Sequence, residues 1–286
     1  WYSLRMAADD TAAVAASLKR ARVILNDITN RFAAGVADSV DVLQAQLAVT
    51  NAELNLRNKQ TSLATRRIAL AVLLGLPVDE PIIPVDSLPE PTLPVHPESV
   101  RADKPELRSL GAAISQQRWR LRQQRADFFP TVSVYTGYSY GKPNLDRFNQ
   151  TWSDYFTVGA NLQWSFNLGG KTSHEISSRD YRLRALEYQR DDLQDRLARE
   201  ARIAYEQLKL ALERYRTAKK QVNIAEANYR LAVAQYDAGS ITTNRLLEIE
   251  AALTSAQSSL AAGLATYYLA ESNWLYAIGA PELRGE

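Results

Sequence analysis

The 286-residue chain carries 34 Lys and Arg against 32 Asp and Glu, a net charge of +2 that is too balanced to point to nucleic acid. It has no cysteine, which excludes disulfides, a thiol nucleophile and thiolate metal sites within it. It also has no run of about 18 apolar residues, so a bilayer crossing by this chain has to be made by strands rather than by a helix.

Residues 1–34 read as a helix, with Leu18, Ala21, Leu25, Ile28 and Phe32 at spacings of three and four. Gly35 ends it, and Asp38 or Ser39 is placed to cap the next helix. That helix carries Val42, Ala45, Val49, Ala52 and Leu56 to Leu74, and Gly75 and Pro77 stop it. Residues 77–105 hold eight of the eleven prolines and cannot form a continuous helix. Ile82, Ile83, Val85, Leu88 and Leu93 give this crossing apolar anchors, so an ordered segment is expected rather than a solvated linker. A helix follows over 105–128, with Leu107, Leu110, Ile114, Trp119 and Leu121 near one stripe and Pro130 past its end.

The period then changes to two. Val132, Val134, Thr136, Tyr138 and Tyr140 alternate with polar or small residues, and so do Phe156, Val158, Ala160, Leu162, Trp164 and Phe166. Each run is long enough to cross a bilayer when tilted. The connection GKPNLDRFNQTWSD is longer than a tight hairpin needs. Two readings stand: a transmembrane hairpin over 130–168, with Val132, Val134, Tyr138, Phe156, Val158, Leu162, Trp164 and Phe166 facing lipid, or an amphipathic hairpin packed on helices. An isolated hairpin is marginal in water, which favours the membrane.

From Ser173 to Tyr236 there is no proline or glycine, enough for a helix on the order of 95 Å. Leu197, Ala201, Ala204, Leu208, Ala211, Tyr215, Ala218, Val222, Ala225, Tyr229, Ala232 and Tyr236 step 4-3 throughout, the 3.5-residue repeat of a coiled coil. The return helix over 240–279 continues with Leu246, Ile249, Leu253, Ala256, Leu260, Gly263, Tyr267, Ala270, Trp274 and Ala277. A seam this long needs antiparallel neighbours of similar length.

Residues 32–77 and 236–281 align without a gap at an offset of 204, with Gly35 on Gly239, Leu43 on Leu247, Gly75 on Gly279 and Pro77 on Pro281. The match reaches upstream, with Trp1 on Tyr205 and Leu4 on Leu208. The chain is therefore a duplication of helix, glycine turn and returning helix. Three segments are expected: 1–77, 78–104 and 105–281. The stretch 101–170 has no counterpart before Trp1, which reads as a first repeat lacking roughly 100 N-terminal residues.

The two turns Ala34-Gly35-Val36-Ala37-Asp38-Ser39 and Ala238-Gly239-Ser240-Ile241-Thr242-Thr243 recur in a definite order with three further stretches. These are Asp41-Val42-Leu43, Phe166-Asn167-Leu168-Gly169-Gly170 and Lys104-Pro105-Glu106-Leu107. In order and spacing the chain resembles the TolC-like outer-membrane efflux protein family. The resemblance implies a mainly α fold with a β-hairpin, in which long antiparallel coiled-coil helices form a trimeric α-barrel continuous with a transmembrane β-barrel. It also implies an outer-membrane location with helices in the periplasm, and passive export of substrates delivered by an inner-membrane transporter through a periplasmic adaptor. Family members carry drugs, metal ions or proteins. The other class of function is a soluble coiled-coil scaffold whose hairpin is structural.

Gly35, Val36, Ala37, Ser39, Gly239, Ser240, Ile241 and Thr243 are the expected tip residues. Capping accounts for the glycines, Ser39 and Thr243, while small and apolar groups at a hairpin tip suit docking of a partner's hairpin. In the resembled family these turns meet the adaptor. Asp41, Tyr236, Arg245 and Glu248 are the expected periplasmic gate, with Asp41 and Glu248 paired to Arg245 in the closed state. The alternative is an exposed ion pair contributing about 0–1 kcal/mol. Catalysis has no foothold. His96 and His174 have no metal-ligand spacing, no G-x-S-x-G, P-loop or H-E-x-x-H occurs, and neither metal nor cofactor is expected.

Overall fold

The computed structural model describes residues 1–83, 88–95, 104–145, 147–148, 150–165 and 169–280. His96, Val85, Phe166, Asn167, Leu168 and Pro281 lie outside them. The elements are α1 (Tyr2–Ala33), α2 (Ser39–Leu74), α3 (Pro105–Ala126), β1 (Thr131–Gly141), β2 (Ser153–Gln163), α4 (Lys171–Asp237) and α5 (Thr243–Ile278). The fold is mainly helical with a small antiparallel hairpin. Two compact units share α4: residues 1–100 with 197–286, and residues 101–196.

In the first unit α1 and α2 pair with the C-terminal part of α4 and with α5. All twelve residues of the α4 seam are buried or half-buried, as the 3.5-residue spacing requires. One core cluster joins Ile24 and Ile28 of α1, Ala45 of α2, Ala232 and Tyr236 of α4, and Leu246 and Ile249 of α5. A second joins Leu208, Ala211 and Leu212 to Tyr267, Tyr268 and Trp274. Between the clusters, Gly263 lets α5 approach the backbone of α4, since a Cβ there would lie 3.4 Å from the Tyr215 Cα. Polar bonds tie the two helical hairpins together. Arg20 of α1 reaches Glu250 (3.0 Å) and Thr254 (3.1 Å) on α5. Asp10 takes Lys59 of α2 (2.7 Å) and the Ser258 hydroxyl of α5 (2.6 Å).

These contacts leave other apolar stripes uncovered. On α2, Val40, Leu43, Leu47, Leu54 and Ile68 are exposed at heptad-compatible spacings. On α4, Ile203, Leu210, Ile224 and Leu231 are exposed at multiples of seven.

The proline-rich crossing is anchored differently from the sequence expectation. Of the expected anchors, Leu88 packs on the second core cluster and Ile82 is half-buried, but Ile83 and Leu93 are exposed. Phenol groups hold residues 88–95 instead: Tyr268 donates to the Pro89 carbonyl (2.6 Å), Tyr205 to that of Pro94 (3.1 Å) and Tyr267 to that of Thr92. Glu90 pairs with Lys219 at 2.6 Å. Proline has no N–H, so such a segment is rich in carbonyls without backbone donors, and tyrosine hydroxyls supply them. Burial pushes the Tyr268 phenol up to about 12, and that of Tyr267 higher still.

In the second unit α3 lies along the first part of α4. Ile114, Gln117 and Leu121 are its buried residues, and Trp119 is 66% exposed with Arg122 stacked 4.7 Å from its ring. The expectation of Trp119 near the buried stripe is corrected. Residues seven apart, such as 114 and 121, share a face, whereas 119 is five residues from 114 and about 140° away. Polar bonds also join α3 to α4, through Arg179 to Gln124 (2.8 Å), Gln124 to Glu175 (3.1 Å) and Arg118 to Glu187 (2.8 Å).

Candidate functional site: hairpin tips and strand hairpin

Both helical tips close in the same way. Gly35 (φ 73°) and Gly239 (φ 69°) take the left-handed conformation. The next amides, of Val36 and Ser240, each donate 2.8 Å back to the carbonyls of Arg31 and Gln235. The caps are Asp38, which accepts from the Val40 amide, and Thr242, which accepts from that of Arg245. Ser39 and Thr243, expected as caps, are instead the first residues inside their helices. Gly35, Val36, Ser39, Gly239 and Ser240 are exposed, while Ala37 and Ile241 are half-buried. Thr243, expected at the docking tip, is only 4% exposed, because the α5 stripe that carries Leu246 already begins there. The Asp38 carboxyl is held below its ordinary range by the Val40 amide first and the Ser39 hydroxyl second.

The gate residues are not brought together as expected. Arg245 does meet Glu248, at 3.1 Å, but both lie on α5 and both are exposed, so the pair cannot tie one helix to another. Asp41 makes no side-chain ion pair among the described residues. Tyr236 is buried in the first core cluster. The residue that does link the two tips is Arg31, which the sequence reading passed over. It contacts Asp27 on its own helix (2.7 Å), reaches Asp237 of α4 (3.1 Å) and lies 4.5 Å from the Tyr236 ring. Its signal was its place one turn before Gly35, where a long cation can reach both its own i−4 carboxylate and the aligned tip.

The strand ladder runs from Thr131↔Gln163 to Gly141↔Ser153. Val132 opposes Leu162, Val134 opposes Ala160, Thr136 opposes Val158 and Tyr138 opposes Phe156, so the apolar residues share one face. Val132, Val134, Tyr138, Phe156, Val158 and Leu162 are between 61% and 74% exposed. Tyr140 and Trp152 stack at 5.1 Å at the loop end, and Phe128, Phe129 and Trp164 are exposed at the helix end. An aliphatic band is thus bracketed by aromatics at both ends. On the other face Tyr135 lies over Gly159, whose missing Cβ makes room for the ring. The ladder is longer at the loop than expected, because Asn144 donates to Ser139 and Ser153 carbonyls and draws the connection back to residues 142–152. It is shorter at the other end: Trp164 lies past β2, with its indole N–H donated to the Phe128 carbonyl.

Residues 1–76 and 96–280 match the family described as Outer membrane efflux protein. The chain belongs to that family. Its members are outer-membrane channels and not enzymes. The chain is 28% identical over 197 residues to the Toxin and drug export protein A of Aggregatibacter actinomycetemcomitans, covering 66% of this chain and 43% of that one. It is 29% identical over 161 residues to the Alkaline protease secretion protein AprF of Pseudomonas aeruginosa, covering 56% of this chain and 33% of that one. Its fold is similar to the CmeC outer membrane channel of Campylobacter jejuni, at a TM-score of 0.74 and 17% identity over 98% of this chain and 60% of that one. The chain therefore spans less than half the length of the curated relatives it matches. Among the described residues there is no group of metal-ligating side chains, and no helix is long and apolar enough to cross a membrane.

Proposed function

We propose that the chain is part of an outer-membrane exit duct, a homotrimer whose strands cross the outer membrane and whose helices stand in the periplasm. The observation that carries this reading is the hairpin. Its apolar face is uncovered, its ends carry aromatics, and its opposite face is mostly polar. Strands of 11 residues rise about 36 Å, and tilted by about 45° they span about 25 Å, the height of an outer-membrane barrel's apolar band. In lipid every backbone group has to be paired, so the free edges of β1 and β2 call for strands from elsewhere, which a closed barrel supplies.

The exposed heptad stripes on α2 and α4 support assembly with further copies, because each is a coiled-coil seam without a partner among the described residues. The exposed tip residues Gly35, Val36, Ser39, Gly239 and Ser240 are where a periplasmic adaptor docks, and the adaptor links the duct to an inner-membrane transporter. Closure of the periplasmic end rests on Arg31 rather than on the Arg245–Glu248 pair. Asp41, half-buried in the first turn of α2, completes the gate. Passage is passive efflux or secretion, in keeping with the drug, toxin and protease named for the relatives.

The test is to fractionate the envelope of cells making the complete native protein, extract with detergent, and measure mass by light scattering corrected for detergent. A trimer from the outer-membrane fraction that conducts ions in planar bilayers is the expected result. A water-soluble monomer or dimer would overturn the duct.

A further inference from the structure

A groove lies on the first unit away from the tips and the strand hairpin. Residues Glu90 to Thr92 of the proline-rich crossing and one face of α4 enclose a groove of about 450 Å³. Arg216, Lys219, Lys220 and Asn223 line it from α4. Residues three and four apart on a helix are neighbours, so the three cations stand side by side and repel one another. Their compensation is uneven. Arg216 is shared with Glu213, which lies outside the groove, at 2.9 Å. Lys219 takes Glu90 at 2.6 Å. Lys220 makes no ion pair among the described residues. Asn223 adds an amide donor, and the buried Pro91 forms an apolar wall.

We propose that this groove binds an oxyanion carried by a ligand outside the chain, a carboxylate or a phosphate, with Lys220 as its principal contact and Lys219 and Asn223 as further donors. Glu90 shows how such a group sits there. It is a carboxylate of the chain itself, presented by a segment that three tyrosine hydroxyls hold in place, and it already occupies one of the cations. Its carboxyl is held below the ordinary range by the Lys219 hydrogen bond first and the Lys219 charge second, with Arg216 adding to the same field. An external oxyanion therefore meets a site that is cationic in excess and partly filled by a competitor. Removing that competitor should strengthen binding, whereas a groove that was only a structural seam would show no binding to strengthen. The site stands apart from the exit-duct reading, since it needs neither lipid nor conductance.

The experiment is calorimetric titration of the full-length protein, in uncharged detergent at low ionic strength, with pyrophosphate and, separately, with citrate. One saturable site per chain is expected for at least one of the two, and which one binds identifies the group recognised. Lys220→Ala should weaken it about ten-fold, the effect of one charge-assisted contact. Glu90→Gln should strengthen it several-fold. Both variants should keep the helical circular dichroism and the mass of the parent. No saturable binding by the parent protein, or unchanged affinity in both variants, would overturn the proposal.

Discussion

Helices α2 and α5 occupy aligned positions in the two repeats, each of 36 residues, each begun by a side-chain cap and each ended by a left-handed glycine, Gly75 or Gly279. Local sequence writes the same helix twice. Yet α5 buries Leu246, Ile249, Leu253, Tyr267, Tyr268 and Trp274, while the buried residues of α2 are Ala45 and Ala71. The difference lies in what covers each helix. α5 is packed by α4, by α1 and by the tyrosine-held crossing, whereas α2 leans chiefly on α1 and leaves Leu43, Leu47 and Leu54 in the open. Capping and period determine that a helix forms and where it stops. Only the company it keeps decides which apolar face becomes core.

The contrast can be broken from either side. Leu246→Ala in α5 removes a side chain that is 2% exposed and should cost about 2–5 kcal/mol in the denaturant unfolding of the complete protein. Leu47→Ala in α2 should lie within about 0.5 kcal/mol in the same measurement on a dissociated chain. A larger loss there would show that α2 already has a partner within the chain. Leu47→Asp combined with Leu54→Asp should leave helicity unchanged but reduce the proposed trimer to monomers by light scattering. Persistence of the trimer would remove α2 from the interface.

At the tips, Arg31→Ala should raise single-channel conductance, and Arg245→Ala should leave it near the parent value, because the Arg245 partner lies on its own helix. The reverse ranking would return the gate to Arg245. Over the crossing, Tyr268→Phe should cost about 1 kcal/mol through the hydrogen bond lost to Pro89. With the folded phenol raised to about 12, this stabilisation is complete below the ordinary tyrosine value near 10 and is lost as pH rises through 12. Phenolate absorbance should show that high step in the parent and lack it in the variant.

The smallest effect is expected at Asp38. Its lowered carboxyl contributes at all pH values above the unfolded carboxylate's titration and stops contributing as pH falls through the folded value. The protection factor of the Val40 amide, corrected for intrinsic exchange, should therefore fall in acid in the parent but not in Asp38→Ala.

Much of this was legible in the sequence because it is periodic. The α4 seam, the glycine stops and the strand alternation each repeat a short rule many times, so one misread residue does not hide them. What escaped was what occurs once. The phenol clamps join residues 111 to 179 positions apart, and no local pattern announces them. Arg31 acts across 206 positions to Asp237. Asp38 was one of two caps open for α2, while the α5 cap fell one residue early at Thr242, since Asp38-Ser39 and Thr242-Thr243 each offer two capping side chains in a row and only backbone geometry chooses between them. Trp119 is bulky and apolar but out of phase with Ile114 and Leu121, and phase decides which face is buried. Of the expected tip and gate residues, those set by the turn itself were readable, whereas Thr243 and Tyr236 depended on neighbouring helices.

The matching lengths of α2 and α5 bear on how such a protein can change over evolutionary time. Each helix is locked to its neighbours through a seam that returns every seven residues, and the two tips are bonded to one another through Arg31. A lone insertion in one helix would rotate every later side chain out of its slot and set the tips at different heights. Whole heptads, added to both arms of each hairpin, are the length changes that keep every side chain in its slot. Reach behaves as a stepped character, inherited in jumps of about 10 Å rather than drifting residue by residue.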